Sequence, residues 1–315
     1  MPHAILVRNP ASRSTLRDDA LAEVVRVAED AGWRVTSMTT RRPGDATAIA
    51  RYAATEHADA LIVNGGDGTI SDAVNGLAHS GTALAVVPGG TVNVWAKEAR
   101  ISKDPVAAMR QAISGERRRI DLGRAGDRYF MLMAGVGFDA GIVARMGSGL
   151  KRRLGAWSYL LAAVPAAIRY NARPVQITVD GVAGRTIMYW MVIGNTRLYG
   201  GFREITHRAR VDDGVLDVAW MRHGGPKHLL GDGVRLLRGA HDRAPNVRYL
   251  QAKNIDIETA GLPVQVDGEP HGETPMRFAS VPAALTVIVP RGLRTPLFAA
   301  STGPSMESKE TAERA

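Results

Sequence analysis

Apolar residues in the first hundred positions alternate between short continuous runs and a helical spacing. Short runs bounded by polar or glycine-containing segments predict strands, whereas apolar residues at i, i+3, i+4 and i+7, as from Leu21 to Ala28, predict a helix. Strands are predicted at residues 4–8, 34–40, 60–64 and 83–88, and further helices at 45–57 and 69–79. Such alternation implies βαβ units and a parallel sheet, in which ligands gather at the carboxyl ends of the strands.

The pattern changes after about residue 120, where strand-like runs are joined by turns that contain glycine or aspartate. This spacing predicts a mainly β second domain. The predicted strands are residues 118–124, 129–134, 175–180, 186–195, 215–220, 255–259, 264–267 and 285–289, with helices at 151–170 and 228–238. The predicted organisation is an α/β domain at 1–120, an all-β domain at 121–298 and a disordered polar tail at 299–315.

The chain of 315 residues has no cysteine and a formal net charge of +9. The absence of cysteine excludes disulfides and thiolate chemistry. The positive charge favours a polyanionic partner, such as nucleic acid, anionic membrane or a phosphorylated substrate, although solubility alone also explains it. Aromatic residues are only 5% of the chain and do not interleave with a basic surface, so we do not expect nucleic-acid binding.

The longest apolar stretch, residues 154–168, is shorter than the ~20 residues that a membrane span needs. The first residues predict a strand and not a signal peptide. We therefore expect a soluble, cytoplasmic protein, with peripheral contact at the inner face of the membrane as an open alternative. Lys151, Arg152 and Arg153 beside the apolar stretch suit docking on an anionic bilayer, whereas the stretch itself also suits a buried core helix.

Two glycine loops follow neighbouring predicted strands, NGGDGTI at residues 64–70 and PGGTVN at 88–93. Glycine lets the main chain approach a ligand closely, and free N–H groups at a helix N-terminus can hold phosphate. A nucleotide held between the loops could accept hydrogen bonds from Thr91 and Asn93, on a rim that Asn9 and Thr40 share. The alternative is a tight turn with positive φ. Neither a GxGxxG fingerprint after the first strand nor a GxxxxGK[ST] loop is present, which disfavours NAD-binding and P-loop sites.

Carboxylates are concentrated in two segments of the second half, VDDGVLD at 211–217 and VDGEP at 266–270. Three carboxylates within six residues suit a hard cation such as Mg²⁺, although the spacing alone favours an Asp-Gly turn. The second segment also contains an Asp-Gly turn, and it leaves Glu269 projecting beside a strand as a candidate general base. We expect Glu269 to stand away from the glycine loops.

These motifs occur in an order that resembles the diacylglycerol kinase catalytic-domain family, in particular soluble bacterial lipid kinases related to diacylglycerol and sphingosine kinases. The resemblance covers roughly residues 4–290. GGDGT alone also occurs in NAD kinases, so the ordered set together with DGEP carries the similarity. The resemblance implies an N-terminal α/β domain, a C-terminal β-sandwich, and a cleft between them.

The resemblance also implies an ATP-dependent kinase that transfers the γ-phosphate to a lipid hydroxyl, with Mg²⁺. Glu269 resembles the proton acceptor, and Asp67 and Asp121 complete the expected catalytic set. The magnesium site resembles one made by Asp213 with the main-chain carbonyls of Arg210 and Val215. The residues expected to contact ATP are Asn9, Thr40, Asn64, Gly65, Gly66, Asp67, Gly68, Thr69, Ile70, Thr91 and Asn93.

Two departures and two rival functions stay open at this point. Many relatives have Asp where this chain has Val94, and many have a proline before the DDG segment where this chain has residues 206–209. An NAD kinase-like enzyme shares GGDGT and a β-rich second domain, although PGGTVN and DGEP argue against it. A non-catalytic regulator that binds nucleotide or lipid is the other rival. The sequence names neither the lipid nor the oligomeric state.

Overall fold

The computed structural model describes residues 1–138, 140–141, 170–201, 203–224 and 246–299. The predicted helices at 151–170 and 228–238, the basic residues at 151–153 and the predicted tail at 299–315 fall almost entirely outside these ranges. No helix among the described residues has both the length and the apolar character needed to cross a membrane.

The first half of the chain alternates strands and helices, as predicted. The elements are β1 (His3–Arg8), α1 (Asp18–Asp30), β2 (Arg34–Thr39), α2 (Asp45–Thr55), β3 (Ala60–Gly65), α3 (Asp67–Leu77), β4 (Ala83–Pro88), α4 (Val94–Glu98) and α5 (Pro105–Ser114). The strands pair in parallel in the order β2-β1-β3-β4. Strands β3 and β4 are buried along their whole length, which explains their continuous apolar sequence.

The second half is mostly β. Its elements are β5 (Glu116–Ala125), β6 (Arg128–Phe130), β7 (Met133–Gly137), β8 (Arg173–Val179), β9 (Val182–Met188), β10 (Trp190–Gly194), β11 (Leu198–Tyr199), β12 (Arg203–Glu204), β13 (Leu216–Met221), β14 (Val247–Ala252), β15 (Asn254–Ile257), β16 (Pro263–Val266), β17 (Glu269–Glu273) and β18 (Met276–Val289). A six-stranded antiparallel sheet has the order β14-β13-β10-β7-β16-β17.

The other large sheet has ten strands and runs through both halves of the protein. Its order is β2-β1-β3-β4-β18-β15-β8-β9, and β5 and β6 join it beside β18. The end of the long strand β18 lies parallel to β4, with Val287 opposite Leu84, and its beginning lies antiparallel to β15. The predicted domain boundary after residue 120 therefore falls inside β5, a strand that pairs with β18.

Apolar side chains of the two sheets pack against each other in the second half. Phe278 and Ile255 of the ten-stranded sheet share one buried cluster with Val136, Met191 and Val264 of the six-stranded sheet. Two sheets with a common apolar core form a sandwich. An N-terminal α/β domain and a C-terminal β-sandwich were expected, and this fold class is confirmed.

Two of the predicted strands are in fact interrupted. The strand predicted at 186–195 is divided at Tyr189 into β9, in the ten-stranded sheet, and β10, in the six-stranded sheet. The strand predicted at 129–134 is divided at residues 131–132, because the N–H groups of Met131 and Leu132 donate to the carboxylate of Asp267. An apolar run does not show which sheet each of its parts will join.

Candidate active site

The two glycine loops lie in direct main-chain contact at the ends of β3 and β4. The N–H of Gly89 donates to the carbonyl of Gly65 at 3.0 Å. A methyl group placed on Gly90 would lie 2.4 Å from the Cα of Gly66, closer than real side chains approach. Gly66 has an extended backbone, with φ of −90°. The alternative of a positive-φ turn is therefore wrong for Gly66, and the close approach at Gly90 is what requires glycine.

The side chain of Asp67 forms a hydrogen bond at the end of the second glycine loop. Its Oδ1 accepts the N–H of Val94, the first residue of α4, at 2.7 Å. Burial raises the pKa of Asp67, the main-chain hydrogen bond from Val94 opposes that rise, and the nearby charge of Asp267 adds to it. The carboxylate thus fixes the two loops to each other.

Asn93 closes the PGGTVN loop on itself. Its backbone is left-handed, with φ of 52°, a conformation that asparagine tolerates better than most residues. Its amide donates to the carbonyl of Gly90 at 2.7 Å, and its Oδ1 accepts the N–H of Gly90 at 2.9 Å. The side chain predicted to donate to a nucleotide is therefore already engaged, whereas Thr91 within the same loop is exposed.

Asn64 and Ile70, both expected at the nucleotide, are among the buried residues of the first glycine loop. The side chain of Asn64 accepts from the N–H of Leu16 and the hydroxyl of Thr15, and it donates to the carbonyl of Val87. Ile70 lies in the apolar core, and its N–H donates to Gly66. Both residues hold the first glycine loop in place through contacts inside the protein. Their contact with ATP stays a prediction.

The segment after β1 covers the same rim. The amide of Asn9 donates to the hydroxyl of Thr69 at 2.7 Å. Ser12, which the sequence did not single out, accepts the N–H of Gly66 with its Oγ at 3.3 Å. Thr40 follows β2, and its N–H donates to Arg8 at 2.9 Å. The rim predicted from four strand ends is present, and the polar segment NPAS at 9–12 was the available signal for Ser12.

Glu269 lies beside the first glycine loop, so the expectation that it stands apart from the loops is wrong. The hairpin of β16 and β17 turns at Asp267 and Gly268, with φ of 50° and 81°, and Glu269 begins β17. Its Oε1 would lie 3.8 Å from a methyl group placed on Gly68. Its charge also contributes to raising the pKa of Asp72 in α3, after the larger effect of burial. The sandwich thereby brings a carboxylate to the loop that opens α3.

Asp267 fixes the position of that hairpin. It is buried, and its two oxygens accept the N–H groups of Met131, Leu132 and Met133 at 3.0–3.1 Å. Burial raises the pKa of Asp267 even though these hydrogen bonds favour the ionised form. Asp267 therefore attaches the Asp-Gly turn to the start of β7. This attachment fixes the position of Glu269, which follows the turn.

Most carboxylates around the acidic loop, residues 211–217, bond to the protein itself. Asp121 is buried and accepts the N–H of Gly214 at 2.6 Å and that of Ala283 at 2.7 Å. Asp217 accepts from Tyr249 at 2.5 Å and from Gln251 at 3.2 Å. Asp121, expected in the catalytic set, thus lies beside the acidic loop and anchors that loop to β18.

Asp212 and Asp213 are the exposed carboxylates of this loop, and Asp213 is the one expected to hold magnesium. Partial desolvation, followed by the charges of Asp217, Asp121 and Asp212, raises the pKa of Asp213 to about 6. Excess negative potential of this kind favours a cation. Among the described residues no three His, Asp or Glu side chains converge on one point, so main-chain carbonyls such as those of Arg210 and Val215 would have to supply the other ligands.

Helix α4 connects the glycine loops to the sandwich. Lys97 donates to the carbonyl of Gly201 at 3.1 Å. Glu98 is buried, and its Oε1 accepts the N–H groups of Arg197 at 2.9 Å and Leu198 at 2.6 Å. The helix therefore carries the second glycine loop at one end and binds the segment before β11 at the other.

Two sequence models of known families match the chain. The diacylglycerol kinase catalytic domain matches residues 3–125, and the YegS C-terminal NAD kinase beta sandwich-like domain matches residues 133–289. A diacylglycerol kinase of Staphylococcus aureus (strain JH9) is 30% identical over 295 residues, which are 92% of this chain and 93% of that protein. A diacylglycerol kinase of Staphylococcus carnosus (strain TM300) is 29% identical over 294 residues, 92% of this chain and 96% of that protein.

Solved structures share the fold. A Bacillus anthracis str. Sterne protein provisionally named as a diacylglycerol kinase superposes with a TM-score of 0.77 at 24% identity, covering 91% of this chain and 95% of that one. A diacylglycerol kinase structure from the same organism superposes with a TM-score of 0.66 at 20% identity, covering 91% and 96%.

Proposed function

Because the chain belongs to the diacylglycerol kinase catalytic-domain family, we propose that it transfers the γ-phosphate of ATP to a hydroxyl group of a lipid. The family supports a kinase, and the relatives' names point to diacylglycerol as the acceptor. We propose a diacylglycerol- or sphingosine-like acceptor, since both present a hydroxyl beside a long hydrocarbon chain.

The observation that carries the proposal is the carboxylate of Glu269 beside Gly68 of the first glycine loop. Phosphoryl transfer asks the protein mainly to position the two substrates and to stabilise charge. The glycine loops offer main-chain groups at the strand ends, where nucleotides bind in α/β sheets. A carboxylate next to that surface can accept the proton of an attacking hydroxyl.

Each part of the site then has a role in the proposed reaction. The loops at 64–70 and 88–93 hold the triphosphate, and Thr91 is the exposed side chain that contacts it. Asp67 keeps the two loops together. Glu269 takes the proton from the lipid hydroxyl. A magnesium ion bound with ATP would neutralise part of the phosphate charge. Asp213 is the side chain that would hold a second ion, near the acidic loop.

We further propose that the protein reaches its lipid by peripheral contact with an anionic membrane. The support is the net charge of +9, because basic residues near an anionic surface contribute about 1 kcal/mol each. The basic residues at 151–153 are the candidates in the sequence, and they lie outside the described ranges.

The deciding experiment incubates the protein with γ-labelled ATP, magnesium and a total lipid extract, followed by identification of the labelled product. We expect label in a phosphorylated lipid. A parallel reaction with NAD in place of lipid tests the NAD kinase-like alternative. Label in NADP alone would replace the proposal by that alternative, and ATP binding without any labelled product would favour a non-catalytic regulator.

A further inference from the structure

A cleft of about 830 Å³ lies beside the acidic loop and is lined by five arginines and one histidine. The basic side chains are those of Arg118, Arg197, His207, Arg208, Arg210 and Arg294. We call it the arginine cleft. Asp213 is the one carboxylate in its lining. Several guanidinium groups around one cleft repel each other, and an anion bound among them would relieve that repulsion.

Part of this positive charge has no counter-ion among the residues that the structure describes. Arg118 pairs with Glu116 at 2.5 Å, and Arg197 pairs with Glu204 at 2.8 Å. Within the part of the chain that the structure describes, no ion pair or hydrogen bond involves the side chain of Arg210 or Arg294. Both side chains are exposed at the cleft and can reach a ligand there. A cation held by Asp213 would add to the positive potential.

The arginine cleft is separate from the glycine loops. Thr295, in its lining, donates to the carbonyl of Glu98 at 3.4 Å, and Arg197 donates its N–H to the carboxylate of the same residue. Glu98 is the last residue of α4, whereas the second glycine loop precedes the first residue, Val94. The five residues of α4 span about 7.5 Å. The cleft and the loops therefore adjoin opposite ends of this helix.

The chemistry of the lining selects the class of ligand. A guanidinium group presents parallel N–H donors that match phosphate oxygens, and a phosphomonoester carries about −1.5 to −2 charges at neutral pH. The lining also contains Leu293, Pro296 and Phe298, and the guanidinium of Arg118 lies 4.7 Å from the Phe298 ring centre. Apolar side chains beside the arginines favour an organic phosphate over the inorganic ion. The volume lies within the range of sites for small organic ligands.

We propose that the arginine cleft is a second ligand site, which binds the phosphomonoester group of an organic molecule. The phosphomonoester could come from a soluble molecule or from phosphatidic acid, a phospholipid whose headgroup is itself a phosphomonoester. This binding does not depend on the reaction proposed above, because it involves none of the glycine-loop residues or Glu269.

The test measures binding while a non-hydrolysable ATP analogue saturates the glycine loops. Calorimetry with glycerol 3-phosphate probes the soluble source. Sedimentation with phosphatidylcholine vesicles, with and without phosphatidic acid, probes the lipid source. Binding of glycerol 3-phosphate would show that a soluble phosphate ester is sufficient for binding at the cleft. Binding only to vesicles that contain phosphatidic acid would show that the ligand is the lipid headgroup. Either result supports the site, and binding of neither probe overturns it.

Matched variants distinguish this site from general charge attraction. Arg294→Glu is expected to weaken binding at least tenfold, about 1.4 kcal/mol. Arg294→Lys keeps the charge and is expected to weaken it by less. Arg26→Glu makes the same change of net charge at an exposed position of α1 and is expected to have little effect. Equal losses in Arg294→Glu and Arg26→Glu, or no loss in a folded Arg294→Glu protein, would overturn the proposal.

Discussion

The glycine loops and the acidic loop contain the two densest motifs of the sequence, yet the structure builds them in opposite ways. At Gly66 and Gly90 the absence of side chains lets two main chains touch. In the acidic loop the side chains bond to other parts of the protein, as when Asp212 accepts the N–H of Ala299 at 2.6 Å. Asp213, which is exposed like Asp212, accepts the N–H of Val215 at 3.2 Å. A motif residue therefore more often shapes the site than faces its ligand.

The same contrast separates the two carboxylates of the DGEP hairpin. Asp267 is buried and holds three main-chain N–H groups, whereas its neighbour Glu269 faces Gly68. One carboxylate positions the turn, and the other is available for chemistry. Four changes test how far this division extends, beginning with the one of largest expected effect.

Glu269→Gln is expected to lower turnover by about 10²–10⁴-fold, because loss of a general base typically costs that much. ATP affinity should stay equal or rise, since the change removes a negative charge from beside the triphosphate loop. Labelled-lipid assays and ATP calorimetry measure the two quantities. Glu273→Gln, on the same strand but exposed, is the control. Near-normal turnover in Glu269→Gln would remove Glu269 from the catalytic role.

Gly90→Ala is expected to lower ATP affinity at least tenfold and to reduce the free energy of unfolding by about 1–3 kcal/mol. The added methyl group would press on the Cα of Gly66 and force the two loops apart. Gly81→Ala is the matched control, because no atom lies within 4 Å of its new methyl group. Calorimetry and thermal melting measure both effects, and unchanged ATP affinity would mean that contact between the loops is not needed for binding.

Asp213→Asn is expected to abolish a magnesium-dependent rise in melting temperature that the unmodified protein shows. An ion that binds only the native state stabilises it by about 2.7 kcal/mol at 100 times its Kd. Asp212→Asn, whose carboxylate bonds to Ala299, should keep the rise. Thermal melting with and without magnesium measures the effect. If the unmodified protein shows no rise, the acidic loop is not a magnesium site.

Glu98→Gln is expected to raise the melting temperature by a few degrees at about pH 8 and to leave it nearly unchanged at about pH 4. Burial raises the pKa of Glu98 above its ordinary 4.5, although the N–H groups of Leu198 and Arg197 oppose the rise. The contribution of this carboxyl group to the free energy of unfolding is therefore fully present below pH 4.5. It is lost as the pH rises through the pKa of the folded state. Glutamine resembles the neutral form. Glu23→Gln, exposed on α1, should show no such dependence.

Local sequence patterns predicted the parallel strands and the helices between them. The βαβ alternation was correct because parallel strands buried on both faces need continuous apolar runs. Helix α5 was not predicted, although Asp104 caps it by accepting the N–H of Ala107 at 2.7 Å and Pro105 opens it. That signal was present in the sequence. Strand β17 had no such signal, because its position depends on the hairpin with β16.

The ordered motifs by themselves determined the family, the fold class and the rim of loops at the strand ends, because each depends on the order of residues along the chain. Only the tertiary structure decided what each motif residue does. It buried Asn64, turned Asp67 toward Val94 and brought Glu269 to Gly68, more than 200 positions away. It also gathered arginines from position 118 to position 294 around one cleft. Contacts of this kind join residues far apart in the chain, and they form only where packing of the two sheets places them.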